Sequence, residues 1–536
     1  MPLTPSTRRH RSKHQQVERT GLSYESNQDQ KARQQVARKS GVPVRKVSPK
    51  ARKRSARERN KLIQKANEEC LEREVIYVRN EFPDWSARYA RYGVHKQCTR
   101  KCLDAIRETD PAHVSFHKMS PFLIPLKAGW SRMRVCVTDK TKGAPRSSKI
   151  VYNAPCGKKY SSLDDIYEFL RITNSVLTID LFTFELNLDL LTYCKPNEKF
   201  VKKDDFCQNV ENIKIPVVNS TKPSEPIPEL IYSRTSRPGR VNNSVPERER
   251  FETQCKEFCS GCSCVDGCAD ASKCECRLLT ESTTLRFYET LRPEENIGYN
   301  HKLLTETNLG GIYECNQNCK CQRTRETKRK CPNTVVQLDI KFPLMLFNTP
   351  ECGWGVRTMV DIPKGAFISN YCGDIYADVE VEGNPSMSDD YFADLDLIQS
   401  VEREKADQGI DFIGLDEEGP GAAKRRRTTG SSGSSRGLIF KFDDYFKNGD
   451  HLYIVDALKR GNIGKFYNHS CDPNMFVQHI FVDTHDVRLP WVSFFAKKHI
   501  LAGEELTWNY GYQIGEIRDK YLYCKCGSKN CEGRLL

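Results

Sequence analysis

The chain has 536 residues, 38% of them hydrophobic and 29% charged, enough for roughly two to four domains with cores of their own. Its formal net charge of +14 sits almost wholly at one end: residues 1–60 hold 17 Lys and Arg against four Asp and Glu, which leaves the rest close to neutral. No stretch approaches the length of a membrane span and no apolar core follows the basic N-terminus, which argues against a transmembrane segment and a secretory signal. The expected setting is therefore soluble and intracellular, where 24 cysteines are better explained as metal ligands than as disulfides.

Residues 1–60 read as a disordered basic tail, with Lys50-Ala-Arg-Lys-Arg54 suited to nuclear import or loose contact with nucleic acid. A mixed region follows at 61–119. In it, His95, Cys98 and Cys102 offer three metal ligands within eight residues. Three do not complete a tetrahedral site, so either a fourth comes from elsewhere or these are buried thiols; both readings stand. Residues 120–191 read as a small α+β domain. Pro121–Leu126, Gly129–Val135 and Lys149–Gly157 are expected strands, and Ser162–Leu170 a helix capped by Ser162 with Asp165 three residues on. The stretch 192–250, rich in Pro, Ser and Arg toward its end and without periodicity, reads as a linker.

Residues 251–334 carry the densest thiol pattern. Cys262, Cys264, Cys268, Cys274 and Cys276 form one block, and Cys315, Cys319, Cys321 and Cys331 a second. Paired C-x-C units bridge neighbouring ions more easily than they close on one, so nine thiolates point to a cluster that shares sulfurs and braces a region with little apolar core. Redox sensing is the alternative. Cys255 and Cys259 fall outside the count. Beyond the cluster, glycines flank an aromatic in Gly353-Trp-Gly355, followed by Tyr371-Cys-Gly373, Tyr391-Phe-Ala-Asp-Leu-Asp396, Asn468-His-Ser-Cys471, Glu505-Leu-Thr-Trp-Asn-Tyr510, and finally Cys524, Cys526 and Cys531.

That order of motifs resembles the SETDB-type, bifurcated-SET histone H3 lysine-9 methyltransferases. The resemblance covers roughly residues 80–536 and implies a mainly β fold with short helices. It divides the chain into a methyl-CpG-binding-like α+β domain (120–191), a pre-SET zinc cluster (251–334), a SET domain (335–512) with a flexible insertion at 398–442, and a post-SET segment (513–536). It further implies three zinc ions on the nine pre-SET cysteines, three of the sulfurs bridging, and a fourth zinc on Cys471, Cys524, Cys526 and Cys531. S-adenosyl-L-methionine is the implied cofactor, held near Gly353, Trp354, Gly355, Asp389, Tyr391, Lys465, Asn468 and His469. Tyr391, Trp508 and Tyr510 line the implied lysine channel, with Tyr510 and His469 as the catalytic pair.

The chemistry such an enzyme needs suits these residue types. Only about one lysine in a thousand is neutral near pH 7.4, and an aromatic channel beside a cationic cofactor favours the neutral amine. Trp508, where the family often has Phe or Tyr, leaves room for di- and trimethylation. Lys465 replaces a more usual arginine and Asn509 a more usual aspartate, so a chromatin scaffold of weak activity is the competing expectation. In the methyl-CpG-like domain Arg146 fits one guanine-reading position, but the other falls on Ser161, which cannot make the bidentate contact. Implied partners are the histone H3 tail and chromatin, DNA through that domain or the basic tail, and no membrane. The implied location is the nucleus and chromosome. Finally, Ala37-Arg-Lys-Ser40 looks like the sequence around methylated lysines of the H3 tail, so Lys39 is a candidate for self-methylation and for binding a methyl-lysine reader.

Overall fold

The computed structural model describes residues 71–75, 95–104, 110–111, 113–137, 147–239, 259–285, 297–381, 384, 387, 391–395, 397, 452–512 and 521–535. The expected tail at 1–60 and insertion at 398–442 lie outside these residues, and the described residues all fall within one compact unit, Arg59–Leu536. As expected, the fold is mainly β with short helices. Among the described residues no helix is long and apolar enough to cross a membrane.

In the first domain the strands Ser131–Val137, Ser147–Asn153 and Lys159–Tyr160 form an antiparallel sheet. A tight turn at Ala154–Gly157 separates the last two, closed by Gly157 N–H donating to Ala154 O at 2.8 Å. Gly157 sits there at φ +91°, a conformation that favours glycine. The helix Leu163–Thr173 begins where the sequence places it, with Ser162 Oγ accepting from Asp165 N–H at 3.2 Å. It stops at Asn174 in the left-handed region. Its buried face, Ile166, Phe169 and Leu170, closes on Trp130, which is 1% exposed and meets Phe169 and Phe182 edge-on at 5.1 and 4.9 Å.

Two expectations change. Pro121–Leu126, expected as a strand, is helical: a short 3-10 turn over Pro121–Leu123 runs into a single α-turn over Ile124–Lys127. Pro121 and Pro125 each stand at the start of a turn, where their fixed φ suits a helix and their missing N–H costs nothing. The second change is larger. Residues 192–239 are no linker: the first of their short strands pairs with a strand near the N-terminus, and the others are built into the sheets of the second half. Thr192–Pro196 pairs with Leu71–Val75, and Val201–Lys203 and Val217–Val218 extend the sheet of Leu344–Asn348 and Trp354–Thr358. Ile231–Tyr232 pairs with Arg460–Gly461, and Arg237–Pro238 with Asp374–Ala377. Strands of two or three residues are too short to show a period-2 pattern, and Pro238 is tolerated because its strand lies at the edge of its sheet.

Another four-stranded sheet places Phe367–Tyr371, Trp491–Ala496, Met475–Phe481 and Ile312–Tyr313 side by side. One continuous apolar core runs from Cys98 to Leu506, so the first domain and the later sheets share it; Phe122 and Phe342 meet within it at 6.1 Å. Val217 and Val218, both fully buried, belong to this core. We expect Val218→Ala to cost about 2 kcal/mol, read as a lower urea midpoint at unchanged slope. A residue in a true linker would change stability by less than about 0.5 kcal/mol.

Candidate active site

The strand Asn468–His469 pairs in parallel with Thr507–Trp508, which lays Asn468-His-Ser-Cys471 against Glu505-Leu-Thr-Trp-Asn-Tyr510. Two residues of ladder are too little to hold such a crossing, and side chains complete it. Asn474 Nδ2 donates to Glu505 O at 2.8 Å, and its Oδ1 accepts from Thr507 N–H at 2.9 Å. Asn468 Nδ2 donates to Glu505 Oε1 at 2.8 Å and to Trp354 O at 3.3 Å, which brings Gly353-Trp-Gly355 to the same place. Burial raises the Glu505 carboxyl above its ordinary range; the Asn468 hydrogen bond and the charge of Arg357 act the other way.

Tyr510 and Trp508 both turn onto one acceptor. Tyr510 Oη donates to Tyr467 O at 2.9 Å and Trp508 Nε1 donates to it at 3.2 Å. The Tyr467 hydroxyl lies 2.7 Å from Ser369 Oγ. The Trp508 and Tyr510 rings are 5.1 Å apart, and Tyr510 and Tyr512 are 6.0 Å apart. Tyr391 joins them through its carbonyl, which accepts from Tyr371 Oη at 2.7 Å. Burial first, then Tyr512, Cys352, Tyr391 and Glu505, holds the Tyr510 hydroxyl well above its ordinary pKa. Tyr371 is raised by burial and by Tyr510, Asp456, Tyr512 and Tyr391. The result is an aromatic cluster of Tyr371, Tyr391, Trp508, Tyr510 and Tyr512.

His469 stands between the aromatic cluster and a cysteine quartet. Its Nδ1 accepts from Tyr510 N–H at 3.2 Å, so the proton of the neutral ring belongs on Nε2, which lies 3.3 Å from Cys471 Sγ. Burial lowers its pKa to about 4. Lys465 reaches back to donate to Leu458 O at 2.7 Å, with its ammonium 4.1 Å above the Tyr391 ring, and burial lowers its pKa to about 8.

The sulfurs of Cys471, Cys524, Cys526 and Cys531 lie within 4.8 Å of one another, with Cys471 and Cys524 at 3.7 Å. In the pre-SET region three quartets meet the same condition: Cys262, Cys268, Cys274 and Cys315; Cys262, Cys276, Cys315 and Cys319; and Cys268, Cys315, Cys321 and Cys331. Sγ–Sγ separations of 3.6 to 3.8 Å run through these sets. Four thiolates around zinc at about 2.3 Å are about 3.8 Å apart, so the donors fit that ion. Cys315 belongs to all three quartets, and Cys262 and Cys268 to two each, which is where sulfurs would be shared. Cys264 packs against the set, while Cys259 points elsewhere, 3.7 Å from Val482 O.

Asp389, Arg146 and Lys39 lie outside the described residues. Ser161 is exposed at the foot of the helix Leu163–Thr173. Sequence reasoning gave no role in the site to Tyr467, Tyr512 or Asn474, and quoted Tyr371 only as part of a motif. Tyr371 and Glu505 at least fell inside the quoted motifs, whereas the Tyr467 contribution is a backbone carbonyl and leaves no mark on residue identity. A cavity of about 600 Å³ lined by Arg234, Asn370 and Trp491 contains none of the predicted site residues.

At Gly355 the Trp354–Thr358 strand passes close to the crossing: a Cβ there would lie 2.6 Å from Glu505 Oε1 and 2.9 Å from Asn468 Nδ2. Gly353, at φ +72°, has open space around the same position. We expect Gly355→Ala to destabilise by about 1–3 kcal/mol through overpacking and Gly353→Ala by about 1 kcal/mol through backbone strain, compared by denaturant midpoints.

Comparison with known proteins matches three segments of the chain in order. The methyl-CpG binding domain family matches residues 116–207, the pre-SET motif 207–333 and the SET domain 353–511, so the stretch 192–250 expected as a linker falls wholly within matched segments. Over 505 residues the chain is 37% identical to histone-lysine N-methyltransferase met-2 of Caenorhabditis elegans, covering 82% of this chain and 38% of that protein. Over 569 residues it is 28% identical to histone-lysine N-methyltransferase SETDB2 of Xenopus tropicalis, covering 83% and 78%. Arabidopsis thaliana SUVH6, solved in complex with SAM, is 25% identical with a TM-score of 0.40, covering 63% of this chain and 56% of that one. The chain spans a little over a third of the length of the first curated relatives it matches. Methyl-CpG-binding, pre-SET and SET domains thus follow one another along the chain, and the proteins it is similar to, met-2 and SETDB2 among them, are named histone-lysine N-methyltransferases.

Proposed function

We propose that the chain is a protein lysine N-methyltransferase that uses S-adenosyl-L-methionine to modify lysine 9 of histone H3, adding two or three methyl groups, in nuclear chromatin silencing. The observation that carries this reading is the cluster of Tyr371, Tyr391, Trp508, Tyr510 and Tyr512 beside the Asn468–His469 crossing. The relatives are named histone-lysine N-methyltransferases, which supports the same class.

Gly353, Trp354, Gly355, Tyr391, Lys465, Asn468 and His469 surround the place for the cofactor, with Asp389 from the segment beside Tyr391. When bound, S-adenosyl-L-methionine supplies an electrophilic methyl on a sulfonium. The chain's part is to present a neutral, aligned amine. An aromatic lining withholds water from the lysine ammonium and lowers its pKa, as burial already lowers that of Lys465 above Tyr391. Tyr510 stays protonated at neutral pH because its pKa is raised, so it serves as a fixed dipole and not as a base. The lysine therefore gives its proton to water before transfer. The amine lone pair then forms the N–C bond as the C–S bond breaks. His469 acts as a positioning residue, tying the backbone of Tyr510 to Cys471.

In this reading three zinc ions brace the pre-SET cysteines and a fourth, on Cys471, Cys524, Cys526 and Cys531, holds the last segment over the channel. The domain at 116–207 serves chromatin contact with proteins or with DNA regardless of methylation, since Ser161 offers a neutral hydroxyl where an arginine fork would be needed.

Purified chain with labelled S-adenosyl-L-methionine is expected to label an H3 tail peptide, and to fail when lysine 9 of the peptide is replaced by arginine. Tyr510→Phe should lower kcat by about 10²–10³-fold. For the wild type, kcat should rise with pH and level off below the free-lysine pKa of about 10.4, while kcat/KM goes on rising. A product that stops at monomethyl-lysine, or label on the arginine peptide, would overturn the proposed specificity. Cys471→Ala is expected to keep the circular-dichroism spectrum of the fold but lose methyl transfer; wild-type turnover in that variant would refute the proposed covering role of the post-SET segment.

A further inference from the structure

We propose that His95, Cys98, Cys102 and Cys156 bind a further structural zinc ion, separate from the pre-SET and post-SET clusters. The sequence alone left three donors without a fourth. The fold supplies it from a turn more than fifty residues away: Nε2 of His95 and the sulfurs of Cys98, Cys102 and Cys156 all lie within 4.8 Å of one another. His95 Nε2 is 3.3 Å from Cys98 Sγ and 3.4 Å from Cys102 Sγ. Three thiolates and an imidazole around zinc, at about 2.3 and 2.0 Å, have edges of this length, and Cys₃His is one of the closed donor sets in which structural zinc is held.

Each donor is delivered by a different local device. Cys98 lies in the loop just after His95, and Cys102 lies in the single 3-10 turn Arg100–Leu103 that follows. Cys156 sits in the Ala154–Gly157 turn, whose closure depends on Gly157 at positive φ. The three sulfurs are buried while His95 is half-buried, so the imidazole closes the solvent side. The sulfurs also receive outer contacts of the kind that hold thiolate ligands: Thr99 N–H donates to Cys102 Sγ at 3.5 Å, and the Tyr160 hydroxyl lies 3.6 Å from Cys98 Sγ. All four positions come from protein, which leaves none open for substrate and marks the ion as structural.

The bland alternative treats the three cysteines as small apolar residues in the core beside Trp130 and Tyr160. It accounts for their burial but not for an imidazole nitrogen turned onto two of the sulfurs. With zinc the same arrangement has a purpose: residues 95–104 become part of the first domain, clamped onto the turn that leads through Tyr160 to the cap of the helix Leu163–Thr173. The domain then starts some twenty residues before its matched segment at 116.

The test uses the full chain and does not depend on methyl transfer. Zinc per chain is measured by elemental analysis for the wild type, Cys156→Ser, His95→Ala and His95→Cys, all purified with zinc and without chelator. Cys156→Ser and His95→Ala should each lose one equivalent. His95→Cys should keep it and, loaded with cobalt, show a visible spectrum shifted from that of the wild type as one nitrogen ligand becomes sulfur. The half-buried His95 tolerates substitution, so its two variants decide the matter even if Cys156→Ser fails to fold. Equal zinc content in the wild type and His95→Ala, or loss of the equivalent in His95→Cys, would overturn the site.

Discussion

The site hangs on a junction with almost no ladder: two residues at 468–469 beside two at 507–508. Such a contact is stable only because polar side chains on each segment bind the other's backbone or carboxylate. Asn474 grips the run Glu505–Thr507 from one side, and Asn468 grips the buried carboxylate of Glu505 from the other. Leu506 N–H donates to Val356 O at 2.8 Å, which fastens the same run to the strand Trp354–Thr358. Tyr467 and Trp508 are the immediate neighbours of Asn468 and Thr507, and Tyr510 is held to Tyr467 O beside them. Because a buried acceptor left unpaired costs about 1–3 kcal/mol, loss of one amide propagates to its neighbours.

Thiols do elsewhere what a core does in the sheets. The buried side chains of the pre-SET cluster are nearly all cysteines, and the helix Glu275–Leu285 buries only Cys276, Thr280 and Thr284. The joint to the sheets is polar and fully satisfied. Glu314 accepts from Tyr299 Oη, from the N–H groups of Val335 and Val336, and from Gln337 Nε2, at 2.8 to 2.9 Å. Lys302 donates to the carbonyls of Arg329 and Thr334, and burial lowers its pKa to about 8. The cysteine-rich block is thereby fixed to the Ile312–Tyr313 edge of a sheet whose neighbouring strand, Met475–Phe481, begins one residue after Asn474.

What could be read from the sequence was whatever depends on residue identity at short range. The Ser162 cap, the cysteine quartet of the last segment, and the Asn468–Cys471 and Glu505–Tyr510 runs all announce themselves by side-chain chemistry. Val217–Val218, Ile231–Tyr232 and Arg237–Pro238 could not, since each pairs with a partner over a hundred residues away. Pro121–Leu126 was misread because an apolar run with two prolines fits an edge strand as well as two helical starts. Cys156 looked like part of a turn, and only the folded chain brings it to His95.

The two departures from the family pattern bear on whether the site is intact. Asn509 Oδ1 accepts from Gly511 N–H at 3.0 Å, a turn contact that aspartate would make with its own oxygen. Asparagine keeps the acceptor and removes a negative charge from beside Tyr510. Lys465 keeps one donor on Leu458 O and its cation over Tyr391, though with fewer N–H groups than arginine. Both substitutions thus retain the hydrogen bond that the local backbone uses, and neither disturbs the contacts of Asn468, His469, Glu505 or Tyr510. Tyr510 and Trp508 both stay on the Tyr467 carbonyl, so the two groups that the proposed methyl transfer relies on keep their places despite the substitutions.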